Sequence, residues 1–317
     1  MSQSAPLLIT VLPCFNEEDV LPSSINKLTA LYESLIEKEK ISADSRFLFV
    51  NDGSNDKTWE IIQSFHSSNR FVCGVSLAGN VGHQCALLAG METAKGIADV
   101  IVTMDADLQD DLCKIPEMLE KYQNGCDIVY GVKNERKADS LFKRSTAKFF
   151  YKVMRLLGVK SIYNHADFRL MSKRAVEHLC EYRERNLYLR GIIPLIGYKT
   201  GIVYEDLNLR EAGTSKYTLG KMVNLATDGI TSFSIKPLQL FITIGFIFVL
   251  ISIGILIYVL WSLIAGHIVA GWASIMLSLW FIGGCIMISL GILGLYVGKI
   301  YMEVKDRPRF NIEQTII

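Results

Sequence analysis

The stretch LLITVLPCFNEE, residues 7–18, decides the fold of this chain, because an apolar run there ends abruptly in polar residues. Leu7–Leu12 is predicted to be a buried strand, and Asn16 and Glu17 follow it closely. The same pattern of a strand followed by polar residues recurs along the chain. It is found at Arg46–Asn51 before Asp52, at Phe71–Leu77 before Asn80 and Gly82, and at Val100–Met104 before Asp105 and Asp107.

Helical segments separate these strands, and a fifth strand is predicted at Asp127–Tyr130. This alternation implies an α/β fold in which a mostly parallel sheet is covered by helices on both faces. Because ligands bind beyond the carboxyl ends of such strands, the polar residues should meet at one edge of the sheet. The predicted helices are Pro22–Lys38, Thr58–Ser67, His83–Lys95 and Ile115–Tyr122.

The acidic sequence DADLQDD, residues 105–111, follows the fourth strand. The carboxylates of Asp105 and Asp107 are one residue apart and are able to share a hard divalent cation, Mg²⁺ or Mn²⁺. Acidic residues also cap helices, so Asp110 and Asp111 have capping of the next helix as their alternative role.

The sequence NDGS, residues 51–54, ends the second strand and has two interpretations. In the first, the Asp52 carboxylate accepts a hydrogen bond from a nucleotide base or ribose. In the second, the segment is an ordinary Asx turn that leads into a helix.

Composition excludes some classes of protein and limits the redox setting. The 317 residues include 33 Lys and Arg against 32 Asp and Glu, a balance that argues against a nucleic-acid-binding protein. The seven cysteines form no C-x-x-C pair, which indicates free thiols in a reducing compartment. The N-terminal sequence lacks the basic lead-in of a signal peptide, so the N-terminal part is expected in the cytoplasm.

Two apolar stretches near the C-terminus predict two transmembrane helices. Leu238–Ile264 and Trp272–Val297 are each long enough to cross a bilayer, and no Asp, Glu, Lys or Arg lies between Lys236 and Lys299. Basic residues flank the pair, whereas the loop between them has no Lys or Arg. The positive-inside rule therefore places both flanking segments in the cytoplasm, as expected for a multi-pass protein of the inner membrane.

Two amphipathic segments precede these spans. Ser140–Gly158 mixes apolar and basic residues and is typical of a helix at a membrane surface, and Leu219–Phe233 is the second such segment. The alternative for the first is a helix packed on the sheet with a solvated basic face. We accordingly divide the chain into a core at 1–135, an acceptor-side region with interfacial helices at 136–236, transmembrane helices at 237–298 and a cytoplasmic tail at 299–317.

Six blocks in order make the sequence resemble glycosyltransferase family 2. Together with the two apolar stretches, they resemble the polyprenyl-phosphate glycosyltransferases, which include dolichyl-phosphate mannose synthases and bactoprenol glucosyltransferases. The resemblance covers essentially the whole chain and implies a GT-A fold. The blocks are PCFNEE (13–18), VNDGSNDKT (50–58), NVGHQCALLAG (80–90), MDADLQD (104–110), HADFRLMSKRAV (165–176) and REAGTSKY (210–217).

The resemblance implies roles for individual residues. Asp107 and Gln109, with Asp105 beside them, match the positions that hold the metal ion, and Asp167 and Arg169 match the acceptor-side carboxylate and its neighbour. The residues implied to bind the nucleotide sugar are Pro13, Asn16, Glu17, Asp52, Asn80, Gly82, Asp105, Arg210 and Lys216.

The acceptor implied by the resemblance is a lipid phosphate, which is largely dianionic at neutral pH because its second pKa is about 6. Such a nucleophile hardly needs deprotonation. Asp167 is therefore either the usual general base, a residue that orients Arg169 or stabilises charge on the sugar, or half of a structural ion pair. Arg136, Lys143 and Arg144 are predicted to bind the lipid phosphate. The alternative for these three is attraction to anionic lipids.

The predicted reaction is an inverting transfer of a hexose from a UDP-sugar to undecaprenyl phosphate at the cytoplasmic face of the membrane, for modification of a cell-envelope glycan such as lipopolysaccharide. Mannose synthases carry a more basic version of NVGHQ, which shifts the expected donor from GDP-mannose toward UDP-glucose, with N-acetylglucosamine and galactose as other candidates. A homo-oligomer, a flippase and a downstream transferase are expected partners. The rival interpretations are a nucleotidyltransferase, a processive synthase and a non-catalytic membrane subunit that binds nucleotide sugars.

Overall fold

The structure is a computed structural model, and it describes residues 5–133, 165–185, 187–205 and 271–317 together with scattered positions between 238 and 265. The described residues fall into two compact units. One contains the sheet and its covering helices, and the other contains a long apolar helix. The predicted amphipathic segments Ser140–Gly158 and Leu219–Phe233 lie outside the described residues.

The described part of the first unit contains a sheet of eight strands. Its order is β7-β5-β6-β4-β1-β2-β3-β8, with parallel pairing except where β6 meets β4 and β5 and where β8 meets β3. This confirms the predicted α/β fold with a mostly parallel sheet. The strands are β1 (Leu8–Cys14), β2 (Arg46–Asn51), β3 (Val72–Leu77), β4 (Val100–Thr103), β5 (Ile128–Lys133), β6 (His165–Ser172), β7 (Thr200–Glu205) and β8 (Ile312–Ile316).

Helices cover this sheet close to where the sequence predicts them. The predicted helices differ from the observed ones only at their ends. In the described residues the helices of this unit are α1 (Leu21–Glu37), α2 (Thr58–Ser68), α3 (His83–Ala94), α4 (Ile115–Gln123), α5 (Lys173–Glu181) and the short α6 (Leu189–Ile192).

The core forms because apolar residues repeat at helical spacing against fully buried strands. Leu21, Ile25 and Leu28 form the inner stripe of α1 and are completely buried. Each such side chain contributes about 1.5–3 kcal/mol by leaving water. Tyr32 extends the stripe, and its ring meets Phe47 edge-on at 5.3 Å between centroids.

Helix α3 approaches the sheet unusually closely at Gly90. A Cβ atom there would lie 2.3 Å from Val11 Cγ1 and 2.7 Å from Val50 Cγ2. Glycine is therefore required for α3 to lie against β1 and β2. This contact fixes the position of α3 on the sheet, and with it the position of His83 at the N-terminus of the helix beside the carboxyl edge of the sheet.

Strand β6 runs against its neighbours and so delivers its amino end to the carboxyl edge. Thr103 at the end of β4 pairs with Arg169, which places Asp167 just beyond the end of β4. The Thr103 hydroxyl donates a hydrogen bond of 2.5 Å to the backbone oxygen of Asp167. The DFR sequence thus reaches the edge where Asp105 and Asp107 lie.

The segment predicted as a tail, 299–317, contributes to both units. The long helix continues to Val304, and Ile312–Ile316 forms β8 at the edge of the sheet. Leu77 pairs with Ile312 and Gly74 with Ile316. Backbone hydrogen bonding beside β3, where Ala78 N donates to Asn311 O at 2.9 Å, stabilises a strand that has no strong local pattern of its own.

The second unit contains helix α7 (Trp272–Val304). Within it Phe281–Val304 is apolar enough to cross a membrane, with a mean hydropathy of 2.0 and no part of its apolar window buried inside the protein. Among the described residues this is the one such helix. The prediction of two spans is therefore not confirmed, since the first, Leu238–Ile264, falls largely outside the described residues.

Candidate active site

A cleft of about 330 Å³ opens at the carboxyl edge of the sheet. It lies where the parallel-sheet argument places a ligand site, beyond the ends of β1, β2 and β4. Eight residues predicted from the sequence line it: Pro13, Glu17, Asp52, Asn80, Gly82, Asp105, Asp107 and Asp167.

Asp167 is the most strongly paired carboxylate in the cleft. Arg190 Nη2 donates to its Oδ2 at 2.9 Å, Arg169 Nη2 donates to its Oδ1, and both side chains are held beside it as salt bridges. Burial alone would raise the pKa of this carboxyl, but the hydrogen bond with His83 and the charges of Arg169 and Arg190 hold it well below its usual range. Asp167 is therefore ionised and a weak base at neutral pH.

His83 joins Asp167 to the acidic loop. Its Nε2 lies 3.4 Å from Asp167 Oδ2 and 3.6 Å from Asp105 Oδ1. Burial opposes protonation of the imidazole, yet the two carboxylates raise its pKa on balance. Burial also raises the pKa of Asp105, and Asp107 and Asp167 reinforce that shift against His83. The imidazole is the group that reduces the repulsion between these carboxylates.

The DADLQDD loop, residues 105–111, has a strained turn at its centre. Leu108 has φ of +49°, a left-handed conformation that is unfavourable for a residue with a branched side chain. On either side of it, Gln109 Nε2 donates to Asp107 Oδ2 at 2.9 Å. The turn thereby holds the Asp107 carboxylate at the lining of the cleft.

Asp52 stabilises the loop that precedes α3 by hydrogen bonds to the backbone of Val81 and Gly82. Its two carboxylate oxygens accept hydrogen bonds from the backbone N–H groups of Val81 at 2.7 Å and Gly82 at 3.0 Å. Burial raises the pKa of Asp52, and these two bonds oppose the shift. Gly53 allows the close approach, because a Cβ there would lie 2.6 Å from Asn80 N.

The two interpretations of NDGS both have support in the geometry. Ser54 N donates to Asn51 Oδ1 at 3.1 Å, which is the Asx turn. Asp52 nevertheless lines the cleft, so its predicted contact with a base or ribose stays a prediction. Asn16 lies outside the cleft lining and instead accepts from Asn55 N at 2.9 Å through its Oδ1. Its positive φ of 55° suits an asparagine.

Comparison with known proteins identifies the family. The family model described as Glycosyl transferase family 2 matches residues 10–180, which include the cleft carboxylates. The chain is a member of glycosyltransferase family 2. It is therefore a glycosyltransferase, and the resemblance predicted from the sequence is confirmed.

Several curated relatives of this glycosyltransferase match it along nearly its whole length. An uncharacterized glycosyltransferase, YkoT of Bacillus subtilis, is 49% identical, covering 99% of this chain and 93% of the relative. The SfII prophage-derived bactoprenol glucosyl transferase of Shigella flexneri is 38% identical, covering 96% and 97%. The solved glucosyl-3-phosphoglycerate synthase of Mycobacterium tuberculosis has a TM-score of 0.45 at 15% identity, covering 72% of this chain and 79% of that one, and this likeness is too distant to bear on the site.

The donor atoms of the glycosyltransferase cleft fit the predicted divalent cation. Asp105 and Asp107 offer carboxylate oxygens, and the Gln109 amide beside Asp107 offers an oxygen if its two amide positions are exchanged. Within the described ranges, His, Cys, Asp and Glu side chains form no cluster of three arranged around a metal position. Phosphate oxygens and water would therefore have to complete the shell, as is usual for Mg²⁺.

Other predictions fall outside the cleft or outside the described residues. Asp111 caps the short 3-10 turn Leu112–Lys114 that precedes α4, because its Oδ1 accepts from Cys113 N at 2.9 Å. Helix α4 itself begins after Lys114 and has no side-chain cap, so the predicted capping of that helix by Asp110 or Asp111 is wrong. The predicted basic ligands Arg136, Lys143, Arg144, Arg210 and Lys216 lie outside the described residues, so their roles stay predictions.

Sequence reasoning did not single out His83 or Arg190. His83 lies inside the quoted NVGHQ block but carries no metal-ligand spacing. Arg190 stands in an apolar segment, and its only signal is a lone charge among apolar residues. The structure joins the two segments, since Leu189 N donates to Gln84 Oε1 at 2.8 Å.

Proposed function

We propose that this glycosyltransferase transfers a hexose, with glucose as the first candidate, from a UDP-sugar to a polyprenyl phosphate. The observation that carries the proposal is the state of Asp167. Its carboxylate is engaged by Arg169 and Arg190, and its pKa lies well below the usual range. A hydroxyl acceptor needs a general base whose pKa is close to neutral pH. A phosphate acceptor is already ionised and needs none.

The relatives support the same acceptor. The Shigella flexneri relative is named a bactoprenol glucosyl transferase, and it aligns with almost all of both chains. The agreement therefore extends beyond the cleft to the region of the chain that includes α7. We propose that α7 associates the enzyme with the cytoplasmic membrane and that the sheet unit lies in the cytoplasm.

In the proposed reaction a non-bridging oxygen of the lipid phosphate attacks the anomeric carbon of the sugar. The bond between that carbon and the diphosphate oxygen breaks, and UDP leaves with the electron pair. A single displacement of this kind inverts an α-linked donor to a β-linked lipid phosphate sugar.

Residues of the chain would assist this step in three ways. Asp105 and Asp107 would hold the divalent cation, which when bound stabilises negative charge on the leaving diphosphate. Asp167 faces the cleft as an ionised group and would stabilise positive charge on the sugar ring. We further propose that Arg136, Lys143 and Arg144 hold the lipid phosphate, and that Arg210 and Lys216 contact the diphosphate.

The test is a transfer assay with purified full-length protein in detergent. Labelled UDP-glucose is supplied with undecaprenyl phosphate, and organic-extractable product is identified by mass spectrometry. We expect glucosyl phosphoryl undecaprenol, and no product with undecaprenol, which lacks the phosphate. Parallel reactions with UDP-N-acetylglucosamine, UDP-galactose and GDP-mannose determine the donor.

Asp107→Asn separates enzymatic transfer from simple binding of the nucleotide sugar. It should reduce transfer at least a hundredfold while leaving the thermal unfolding midpoint close to that of the wild type. Absence of lipid product with all four donors, under conditions where the protein binds them, would support a non-catalytic subunit and overturn the proposal.

A further inference from the structure

A buried carboxylate lies behind the acidic loop and plays no part in the cleft. Glu205, the last residue of β7, has 0% of its surface exposed. Its Oε2 accepts a hydrogen bond from the backbone N–H of Asp111 at 3.1 Å. Its Oε1 is buried and has no hydrogen-bond partner among the described residues. The carboxyl group therefore restrains, through Asp111, the C-terminal end of the loop that carries Asp105 and Asp107.

A second contact restrains Asp110, the residue before Asp111 in the loop. Lys133, at the end of β5, lies opposite Glu205 in the strand register. Its Nζ is 3.4 Å from Asp110 Oδ1, and the Asp110 side chain is itself buried. The ends of two adjacent parallel strands thus hold two consecutive loop residues, one through the backbone and one through the side chain.

The buried carboxyl groups of Glu205 and Asp110 are unfavourable for the free energy of folding. Burial of a carboxyl group with an unsatisfied oxygen opposes folding, and Lys133 is a cation that lies near both buried acids, Glu205 and Asp110. A leucine of similar volume would fill the same space without that cost. A specific need for the hydrogen bond to Asp111 explains why an acid occupies the position.

The backbone conformation of the loop indicates why a hydrogen bond to Asp111 is needed. Leu108, with φ of +49°, stores strain that persists only if the surrounding structure restrains the turn. On one side the turn is bounded by Met104, which directly follows β4 and donates a backbone hydrogen bond to Val11 O. On the other side it is bounded by Asp110 and Asp111, which Lys133 and Glu205 contact. Loss of the contacts that Glu205 and Lys133 make would let the turn relax, and Asp107 would then move relative to Asp105.

We propose that Glu205 is a positioning residue for the cation-binding loop, acting through its hydrogen bond to the Asp111 backbone, with Lys133 and Asp110 as the second half of the same restraint. The inference rests on the proposed function only for the identity of the bound cation. Removal of groups that hydrogen-bond directly to metal ligands commonly changes metal affinity by 10–100-fold, and the contact of Glu205 acts one step further out, through the backbone of the same loop.

The variants that test this distinguish the hydrogen bond from the volume of the side chain. Glu205→Leu keeps the volume and removes the acceptor, whereas Glu205→Gln keeps an acceptor for the Asp111 N–H. Tyr204→Ala, on the exposed side of the same strand, is the matched control. Lys133→Met releases the other half of the restraint and serves as the second probe if Glu205→Leu does not fold.

Mn²⁺ binding is measured by electron paramagnetic resonance on full-length protein without donor or lipid, so the result does not depend on the transfer reaction. We expect the Kd for Mn²⁺ to rise at least tenfold in Glu205→Leu and in Lys133→Met. It should stay within about threefold of the wild type in Glu205→Gln and Tyr204→Ala.

Amide hydrogen exchange of residues 105–112 in metal-free protein gives a readout that needs neither cation nor substrate. Exchange in this segment should increase in Glu205→Leu with little change elsewhere in the sheet unit. Wild-type Mn²⁺ affinity and wild-type loop exchange in a folded Glu205→Leu or Lys133→Met protein would overturn the proposal, and so would failure of Glu205→Gln to preserve them. If the loop loosens as expected but no lipid product forms with any donor, the proposed acceptor fails and the positioning role stands.

Discussion

At the scale of single residues, the site is an arrangement of acids whose repulsion is reduced by a few cations. Asp167 is matched by Arg169 and Arg190, and His83 lies between Asp167 and Asp105. Asp105 and Asp107 could be predicted because they follow an apolar strand, whereas Asp167 and Arg169, which lie inside β6, were predicted only through the family resemblance. His83 and Arg190 were not predicted, because a single histidine or arginine has no sequence spacing that indicates its partner.

The state of Asp167 leads to a prediction about the pH dependence of transfer. Because Asp167 is ionised well below neutral pH, the acidic limb of kcat/KM should follow the second ionisation of the acceptor phosphate, near pH 6. A lipid thiophosphate, whose second pKa is lower, should move that limb to lower pH. The measurement is the kcat/KM profile from pH 5 to 8 with both acceptors. An acidic limb that stays in place with the thiophosphate would assign it to a group of the enzyme.

Glu205 leads to a prediction about stability. Burial first, and then the nearby charge of Asp110, raise the pKa of Glu205 from 4.5 to about 7, while the Asp111 amide and Lys133 oppose the shift. Since the folded pKa is the higher one, the stabilisation from the neutral carboxyl is complete below about pH 4.5 and is lost as pH rises through 7. The full effect is on the order of 3 kcal/mol.

Glu205→Gln removes this titration and should therefore gain stability relative to the wild type as pH rises. Thermal unfolding at pH 5 and pH 8 measures it. The difference in midpoint between variant and wild type should be small at pH 5 and several degrees larger in favour of the variant at pH 8. Equal differences at the two pH values would show that Glu205 does not titrate in this range.

At the scale of elements, the parallel half of the sheet was predictable and the strand directions at its margins were not. Apolar runs separated by amphipathic helices indicate parallel neighbours, as found for β1, β2, β3 and β4. Nothing local in HADFRLMS specifies that β6 runs antiparallel between β4 and β5. That direction depends on long-range pairing, and it is what brings Asp167 to the cleft.

Gly90 provides a prediction for the packing of α3. Gly90→Ala would place a methyl group 2.3 Å from Val11 Cγ1, so the helix must move away from β1. We expect a loss of about 1–3 kcal/mol and a fall in transfer activity, because His83 at the start of α3 moves with it. Gly96→Ala is the control, since a Cβ there meets nothing within 4 Å. The measurements are chemical unfolding and the transfer assay, and equal behaviour of the two variants would contradict the packing argument.

At the scale of the whole molecule, sequence segments far apart in the chain complete one sheet. The sequence predicts residues 299–317 as a tail, yet β8 lies at the edge beside β3. Trp59 Nε1 donates to Gln314 Oε1 at 3.2 Å, a contact between residues 255 positions apart. A short polar strand such as IEQTI has too little hydrophobic pattern to be recognised without its partner.

Deletion of residues 310–317 should expose the edge of β3 and lower the unfolding midpoint by several degrees. The deleted strand covers Val75 and Leu77, so the shortened protein should also aggregate more readily. Glu313→Ala, an exposed change within β8, is the control and should behave as the wild type does. Calorimetry and size-exclusion chromatography measure the two effects. An unchanged midpoint in the shortened protein would mean that β8 adds nothing to the sheet.

The pairing of β3 with β8 also orders events during biosynthesis. A nascent chain presents β3 to its surroundings long before the ribosome has made the residues that cover it, since all of α7 is translated in between. Domains generally fold from their N-terminal parts as they are made, so the edge of β3 stays without its β8 partner until the end of the described chain has been translated. Closure of the catalytic sheet then becomes one of the last steps of maturation and follows the translation of the apolar helix.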